Sequence, residues 1–276
     1  MERRRIASVA ALFSAALLLA QATLGWSTAV ALGHPFGRVP LVTLAPLASV
    51  LVVVVGASLL WRGHVRSGAA VLVASTVLSL PLLASTLLLL RGPRASPLVG
   101  SVLLFVSAFA LLAVAAALAA SEMKAWPSRR PSHPGALFVI GMALSGVVWP
   151  VVSTQVPLET YDPTAWSQPL VFTTADVWSR WVFVLAAVAT ATVLLYAASA
   201  TRRVGAVVVV TAVVPWLLGD LGAAIDAARR PDAFFTPAGW VSIAGQVLLL
   251  ALAATWWVRG RDDRAPAAAQ SVGSPS

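Results

Sequence analysis

Long apolar runs alternate with short polar segments along the chain. A helix rises 1.5 Å per residue, so about 20 apolar residues cross a ~30 Å hydrocarbon core. Eight runs reach this length, at approximately 6–31, 40–61, 68–90, 97–120, 136–154, 179–200, 204–226 and 237–258. The pattern predicts an all-α, polytopic transmembrane helical bundle of about eight spans within residues 1–264. A disordered cytoplasmic tail of small and polar residues is predicted at 265–276.

Composition supports a protein whose main solvent is the lipid bilayer. Hydrophobic residues make up 59% of the 276 positions, and charged residues make up 11%. A soluble domain carries roughly 45–50% apolar and about 25% charged residues. The shortage of charge is the stronger argument, because a water-facing surface needs charged side chains. The sequence has no cysteine, which excludes disulfides and thiolate chemistry.

The basic residues predict an orientation. A net charge of +9 would suggest nucleic acid in a soluble protein. Here the basic residues stand in pairs and triplets between apolar runs, as the positive-inside rule requires, so no nucleic-acid partner is predicted. With the N-terminus inside, thirteen Lys and Arg fall in cytoplasmic segments and six in outer segments, which accounts for all 19. Few of them are Lys, which is typical of GC-rich bacteria. We therefore predict a bacterial inner-membrane protein with both termini in the cytoplasm.

A cleaved signal peptide is the alternative interpretation of the N-terminal run. Residues 1–5 form a basic segment, and Ala29-x-Ala31 has the small residues of a cleavage site. The apolar stretch of roughly 25 residues is longer than the 7–15 of a secretory signal, which favours a membrane span. Cleavage would leave seven spans and an outer N-terminus.

The two halves of the sequence resemble each other. RGHVRSGAAVLVASTVLSLP ends at Pro81, and TRRVGAVVVVTAVVP ends at Pro215. Each has a basic turn, then Gly-Ala, a Val-rich run, a Thr and a proline inside a span. Four spans per unit predict two parallel repeats, 1–125 and 134–260, related by an axis along the membrane normal. The alternative is that spans rich in Ala, Val and Leu resemble one another by composition.

Asp220 is the only carboxylate well inside a predicted span. Inserting an ionisable side chain at the centre of the membrane costs ~2.5–3.5 kcal/mol, so its presence indicates a functional site. Pro215 cannot donate a backbone hydrogen bond and kinks the helix. Trp216 and Asp220 are four residues apart and share one face. Thr190 and Thr192 are further polar candidates. The candidate ligand- or ion-binding residues are Asp220, Trp216, Gln21, Gln246 and Arg180.

Three interpretations of Asp220 are open. In the first, it is a structural carboxylate that pairs with Arg180, Arg229 or Arg230 at the outer surface. In the second, it binds a cation or relays protons during transport. In the third, it acts as a general acid on a lipid or isoprenoid in an apolar cavity walled by tryptophan. Asp220 is thus the one candidate for a catalytic residue.

The longest predicted outer segment, 155–178, offers a weaker site. The polar residues in it and just after it are Glu159, Tyr161, Asp162, Asp176 and Arg180. They could surround an external ligand or calcium, because Ca²⁺ prefers oxygen ligands. The default interpretation is a solvated loop that lies against the lipid headgroups.

Signatures of common catalytic sites are missing from the sequence. It contains no GxxxxGK[ST], HExxH or Gly-x-Ser-x-Gly motif, so an ATP-driven role would need a separate ATPase subunit. The leading hypothesis is a non-catalytic permease-like subunit, or a transport or assembly partner of other membrane subunits. The alternatives are an intramembrane lipid- or isoprenoid-modifying enzyme that uses Asp220, and a membrane sensor or scaffold that uses the loop 155–178. No cofactor or metal is expected.

Overall fold

The computed structural model of the chain describes residues 2–31, 39–89, 99–123, 177–228 and 237–262. Within these ranges it contains seven α-helices and no strand. The helices are α1 (Glu2–Ala31), α2 (Val39–Trp61), α3 (Val65–Leu89), α4 (Val99–Ser121), α5 (Val177–Ser199), α6 (Arg202–Ala228) and α7 (Pro237–Asp262). Each helix overlaps one predicted span. The predicted span 136–154 and the tail 265–276 lie outside the described residues, so the count of eight spans stays a prediction.

Five of these helices are long and apolar enough to cross a membrane. The candidate spans are Glu2–Leu24, Val65–Ala84, Val99–Ser121, Arg202–Gly222 and Trp240–Gly260. The described parts of α2 and α5 add two shorter apolar segments, Leu47–Trp61 and Leu185–Ser199. Large apolar side chains on the outside of the bundle, such as Phe13, Leu51 and Leu103, are 61–63% exposed. Lipid tails solvate such a surface and water does not. The fold is an all-helical bundle with the character of a membrane protein.

The first four helices form a closed group. α1 contacts α2 and α4, and α3 contacts the same two helices. α6 packs against α2 and α3 on one side of this group, α5 contacts α3 and α6, and α7 contacts α6. A tight turn at 62–64 joins α2 to α3, where Gly63 has a φ of 91° that only glycine adopts freely. A link of two residues, 200–201, joins α5 to α6.

The arginine-bearing turns and termini meet at one end of the bundle. The Arg4 guanidinium, near the start of α1, lies beside Gly63 in the α2–α3 turn. Arg203 at the start of α6 lies beside Gly260 near the end of α7. The early parts of α3 and α6 share one buried cluster, so these two helices run in parallel. We call this the basic end and the opposite one the distal end. The arginines of the basic end whose side chains the structure describes are Arg3, Arg4, Arg5, Arg62, Arg66, Arg202, Arg203 and Arg259.

The half of the bundle next to the basic end is closely packed. One buried cluster among α1–α4 combines Leu60 and Leu72 with many alanines, and a second joins α3, α5, α6 and α7. A Cβ atom on Gly68 would lie 2.9 Å from the backbone nitrogen of Leu60. A Cβ atom on Gly205 would collide with the carbonyl oxygen of Ala197. Glycine at these two positions therefore lets the backbones of adjacent helices approach closely.

Candidate functional site

A cavity of about 480 Å³ lies between the α1–α4 group and α6. Its lining begins at Ser75 on α3 and at Thr211 on α6, nine or more residues beyond the start of each helix, so it lies away from the basic end. Most of the lining is apolar. The polar lining residues are Gln21, Ser49, Ser75, Ser79, Thr86, Thr211 and Asp220. A mostly apolar cavity of 300–1,000 Å³ with a few polar groups is typical of small-molecule sites.

Two prolines border this cavity from the parallel helices α3 and α6. Pro81 and Pro215 both lie inside their helices and both line the cavity. Proline has no backbone N–H, so the carbonyl groups of Val77 and Thr211, four residues earlier, lose their usual helical donor. Prolines also bend helices at such positions. The cavity thus lies where each of its two long walls lacks one backbone hydrogen bond.

Two side chains of α7 hold Asp220. Ser242 Oγ donates a hydrogen bond to Asp220 Oδ2 at 3.0 Å, and Gln246 Nε2 donates to the same oxygen at 2.7 Å. Gln246 Nε2 also donates to Ser242 Oγ at 3.1 Å. Ser242 and Gln246 are four residues apart and share one face of α7. The fold therefore brings together two candidate residues, Asp220 and Gln246, from different helices.

Both donors meet the same oxygen of the Asp220 carboxyl group, and Gln246 Nε2 lies within hydrogen-bond distance of both Asp220 Oδ2 and Ser242 Oγ. A carboxyl group accepts such bonds in its ionised and in its protonated form. Gln246 is only 3% exposed, so the contact lies between the packed faces of α6 and α7. Inside a membrane, such interhelical bonds orient a polar group as well as joining two helices.

Trp216 and Gln21 line the same cavity as Asp220. Trp216 is one turn from Asp220 on α6, and its side chain is 48% exposed, so it reaches from the cavity to the surface of the bundle. Gln21 lies on α1, and its Nε2 donates to Ser101 Oγ on α4 at 3.3 Å. Four candidate residues thus lie at or next to one cavity, since Gln246 touches Asp220 from α7.

The remaining sequence candidates either lie outside the cavity lining or fall outside the described residues. Thr190 and Thr192 lie on α5 and are not part of the lining, and Thr192 Oγ1 donates to the Val188 carbonyl of its own helix at 2.7 Å. Arg180 is in the first turn of α5, but its side chain lies outside the described residues. Arg229, Arg230 and the segment 155–176 also lie outside them, so an ion pair with Asp220 and a ligand site in the outer loop stay predictions.

Sequence reasoning missed Ser242 and the hydroxyl groups of α3. Ser242 precedes Gln246 by four residues, and this spacing was the available signal that one face of α7 is polar. Ser75 and Ser79 have the same spacing on α3 and both line the cavity. Ser79 Oγ donates to the Ser75 carbonyl at 2.7 Å, whereas the buried Ser75 Oγ has no partner among the described residues.

The geometry is the only guide to function. No protein-family model, curated protein or solved structure matches this chain. In the described parts of the chain, no three His, Asp or Glu side chains come together as metal ligands would. What those parts offer chemically is one positioned carboxylate, a tryptophan and several hydroxyl groups around an apolar cavity.

Proposed function

We propose that this chain is a non-catalytic, permease-like membrane subunit that binds a small solute in the cavity between α1–α4 and α6. The observation that carries the proposal is the 480 Å³ cavity between two proline-containing helices, with Asp220 at its wall. Binding sites of transporters are commonly formed by interrupted helices where two repeats meet. A polar residue held inside the membrane is costly, and transport of a charged solute is a reason to keep it.

The difference between the two ends supports a transport role. In the half near the basic end, the backbones of adjacent helices lie in close contact at Gly68 and Gly205. The cavity lies in the other half and reaches Trp216 at the surface of the bundle. A transport site must be closed on one side while it is reached from the other, and this packing fits such a state.

The basic end is proposed to face the cytoplasm of a bacterial cell. Its eight described arginines are attracted by anionic lipid and retained by the positive-inside rule. The cavity would then be reached from the outer side or from the outer leaflet. The sequence lacks a phosphate-binding loop, so any ATP-dependent step would belong to a separate ATPase partner.

Helix contacts support an internal duplication in which α2–α4 correspond to α5–α7. Under this correspondence, the α2–α6 contact is equivalent to the α5–α3 contact, and the α3–α6 contact maps onto itself. This is the pattern that a twofold axis along the membrane normal produces. Gly68 and Gly205 each meet the backbone of the residue eight positions earlier, Leu60 or Ala197.

The proline positions set a limit on this duplication. Pro81 follows Gly68 by 13 residues, whereas Pro215 follows Gly205 by 10. The difference of three residues is about one helical turn, so the two kinks would lie at different depths. The two repeats would therefore share a fold while their cavity walls differ. This fits the presence of a lining carboxylate, Asp220, on the second repeat.

Two other functions compete with this proposal. In the enzymatic alternative, Asp220 acts as a general acid on a lipid or isoprenoid. Among the described residues, Asp220 is the only titratable side chain that lines the cavity, so no second acid or base is at hand to complete a proton-transfer reaction, which is why we prefer binding to acid catalysis. In the sensor or scaffold alternative, the loop 155–178 would bind a ligand or partner and the cavity would have no function.

Cysteine labelling tests the cavity and its orientation together. The chain has no cysteine, so each single-cysteine variant reports one position. We expect Ser79→Cys to react with a membrane-impermeant maleimide added outside intact cells, because Ser79 lines the cavity. Ser8→Cys is the matched control, since Ser8 also bonds to the carbonyl four residues earlier but is 0% exposed near the basic end. If Ser79→Cys reacts with maleimide added on neither side of the membrane, the proposal is wrong.

A further inference from the structure

The cavity has a shape and a chemistry that select one class of solute. We propose that it binds an elongated amphiphilic cation, with a quaternary or protonated amine at Asp220 and Trp216 and an apolar body between α3 and α6. This inference rests on the proposed function, because it names the class of solute that the permease-like subunit would take.

Asp220 and Trp216 form the end of the cavity that would hold the positive charge. Ser242 and Gln246 both donate to Asp220 Oδ2, and Oδ1 receives no hydrogen bond from the described residues. Trp216 is one turn away on the same helix and lines the same cavity. A carboxylate beside an indole ring is well suited to an ammonium group, since the ring face attracts a cation and the carboxylate balances its charge.

The middle of the cavity is apolar. Val53 of α2, Leu78 of α3 and Phe105 of α4 face it from three helices. An inorganic cation such as Ca²⁺ needs six to eight oxygen ligands, and these walls cannot supply them. An alkyl or aromatic body fills such a space favourably, so the charge at Asp220 is expected to belong to an organic molecule.

Ser75 marks the far end of the cavity. It is 8% exposed, its Oγ has no partner among the described residues, and it lines the cavity. Ser75 is 10 residues beyond the start of α3 and Asp220 is 18 residues beyond the start of α6. These helices are parallel, so the two groups are separated by roughly 12 Å along the bundle at 1.5 Å per residue. A solute that fills this length of the cavity would be elongated.

Calorimetry with two probes of equal length and opposite charge tests the inference. The full chain in nanodiscs of zwitterionic lipid is titrated with decyltrimethylammonium and with decanesulfonate, and the heat from empty nanodiscs is subtracted. We expect saturable binding of the cation and none of the anion. Asp220→Asn should weaken cation binding roughly tenfold or more, because it replaces a charged partner with a neutral one. Trp216→Leu should weaken it about fivefold through loss of the cation–π contact.

The outcomes separate this inference from the proposed function. Equal binding of cation and anion, or no binding of either, overturns the inference, and so does cation binding that Asp220→Asn and Trp216→Leu leave unchanged. If Ser79→Cys is still labelled in these cases, the cavity and the transport role stand while the cationic solute is rejected. If Ser79→Cys is protected from both sides, both proposals fail. If Asp220→Asn does not yield folded protein, binding of the cation to Trp216→Leu tests the inference instead, because Trp216 is half-exposed and its replacement is expected to be tolerated.

Discussion

The half of the bundle near the basic end and the half that holds the cavity are built from the same helices but packed in opposite ways. Near the basic end, Gly68 and Gly205 allow helix backbones to touch, and alanines fill the space between them. In the cavity half, Pro81 and Pro215 each remove one backbone hydrogen bond from a helix that continues through them, and polar residues including Asp220 line an open space. One half is arranged to hold the helices together and the other to bind a solute.

α3 shows the change within a single helix. Leu72 is fully buried and packs against Gly56 of α2, whereas Leu78, six residues later, faces the cavity. Both are leucines on an apolar span, so their chemistry is the same. The difference is the helix that each one meets. The position of the cavity is therefore set by where the helices cease to be closely packed.

The largest expected effect is a loss of stability in the packed half. Leu72→Ala should lower the free energy of unfolding by about 2–4 kcal/mol, because it leaves a void among atoms that cannot close around it. Leu78→Ala, the matched change in the cavity wall, should cost about 1–2 kcal/mol, since Leu78 packs against the second buried cluster on one side and borders open space on the other. Thermal unfolding of the purified variants in detergent measures both. Equal losses would mean that the two halves are packed alike.

A smaller effect is expected from adding one methyl group between helices. Gly205→Ala should destabilise the protein by about 1–3 kcal/mol, because the new Cβ meets the Ala197 carbonyl and the Trp256 ring. Gly100→Ala is the control, since the nearest atom to its Cβ is 3.8 Å away on Leu24. The control should change stability by less than about 0.5 kcal/mol. A tolerated Gly205→Ala would show that α5 and α6 are not in backbone contact.

The smallest expected effect compares one interhelical hydrogen bond outside the cavity lining with one at the cavity wall. Ser14 Oγ donates to the Ala108 carbonyl at 2.7 Å between α1 and α4, and Ser242 Oγ donates to Asp220 at 3.0 Å between α7 and α6. Such bonds in membranes contribute about 0.6 kcal/mol on average, so Ser14→Ala and Ser242→Ala should each lower stability by roughly that amount. Only Ser242→Ala should also weaken cation binding in the calorimetric assay. If Ser14→Ala weakened it equally, the Asp220 network would have no special role.

Part of the site could be predicted because it lies within one helix. Trp216 and Asp220 share a face by their spacing of four residues, and both line the cavity. The two partners of Asp220 are harder to predict. Depth in the membrane alone points to Gln246, and only its spacing of four residues from Gln246 points to Ser242. Hydrogen bonds between helices depend on which faces meet, and spacing along one helix cannot reveal that.

The sequence by itself predicted that apolar segments of spanning length form helices, which seven of the eight do in the described residues, and that two of these helices contain a proline. Tertiary structure alone decided that Asp220 meets Ser242 and Gln246, and that a cavity opens beside Leu78 and not beside Leu72. The physical reason is that lipid is as apolar as the interior of the bundle. Hydrophobicity therefore predicts which segments form helices, but it does not predict which face of each helix packs against another.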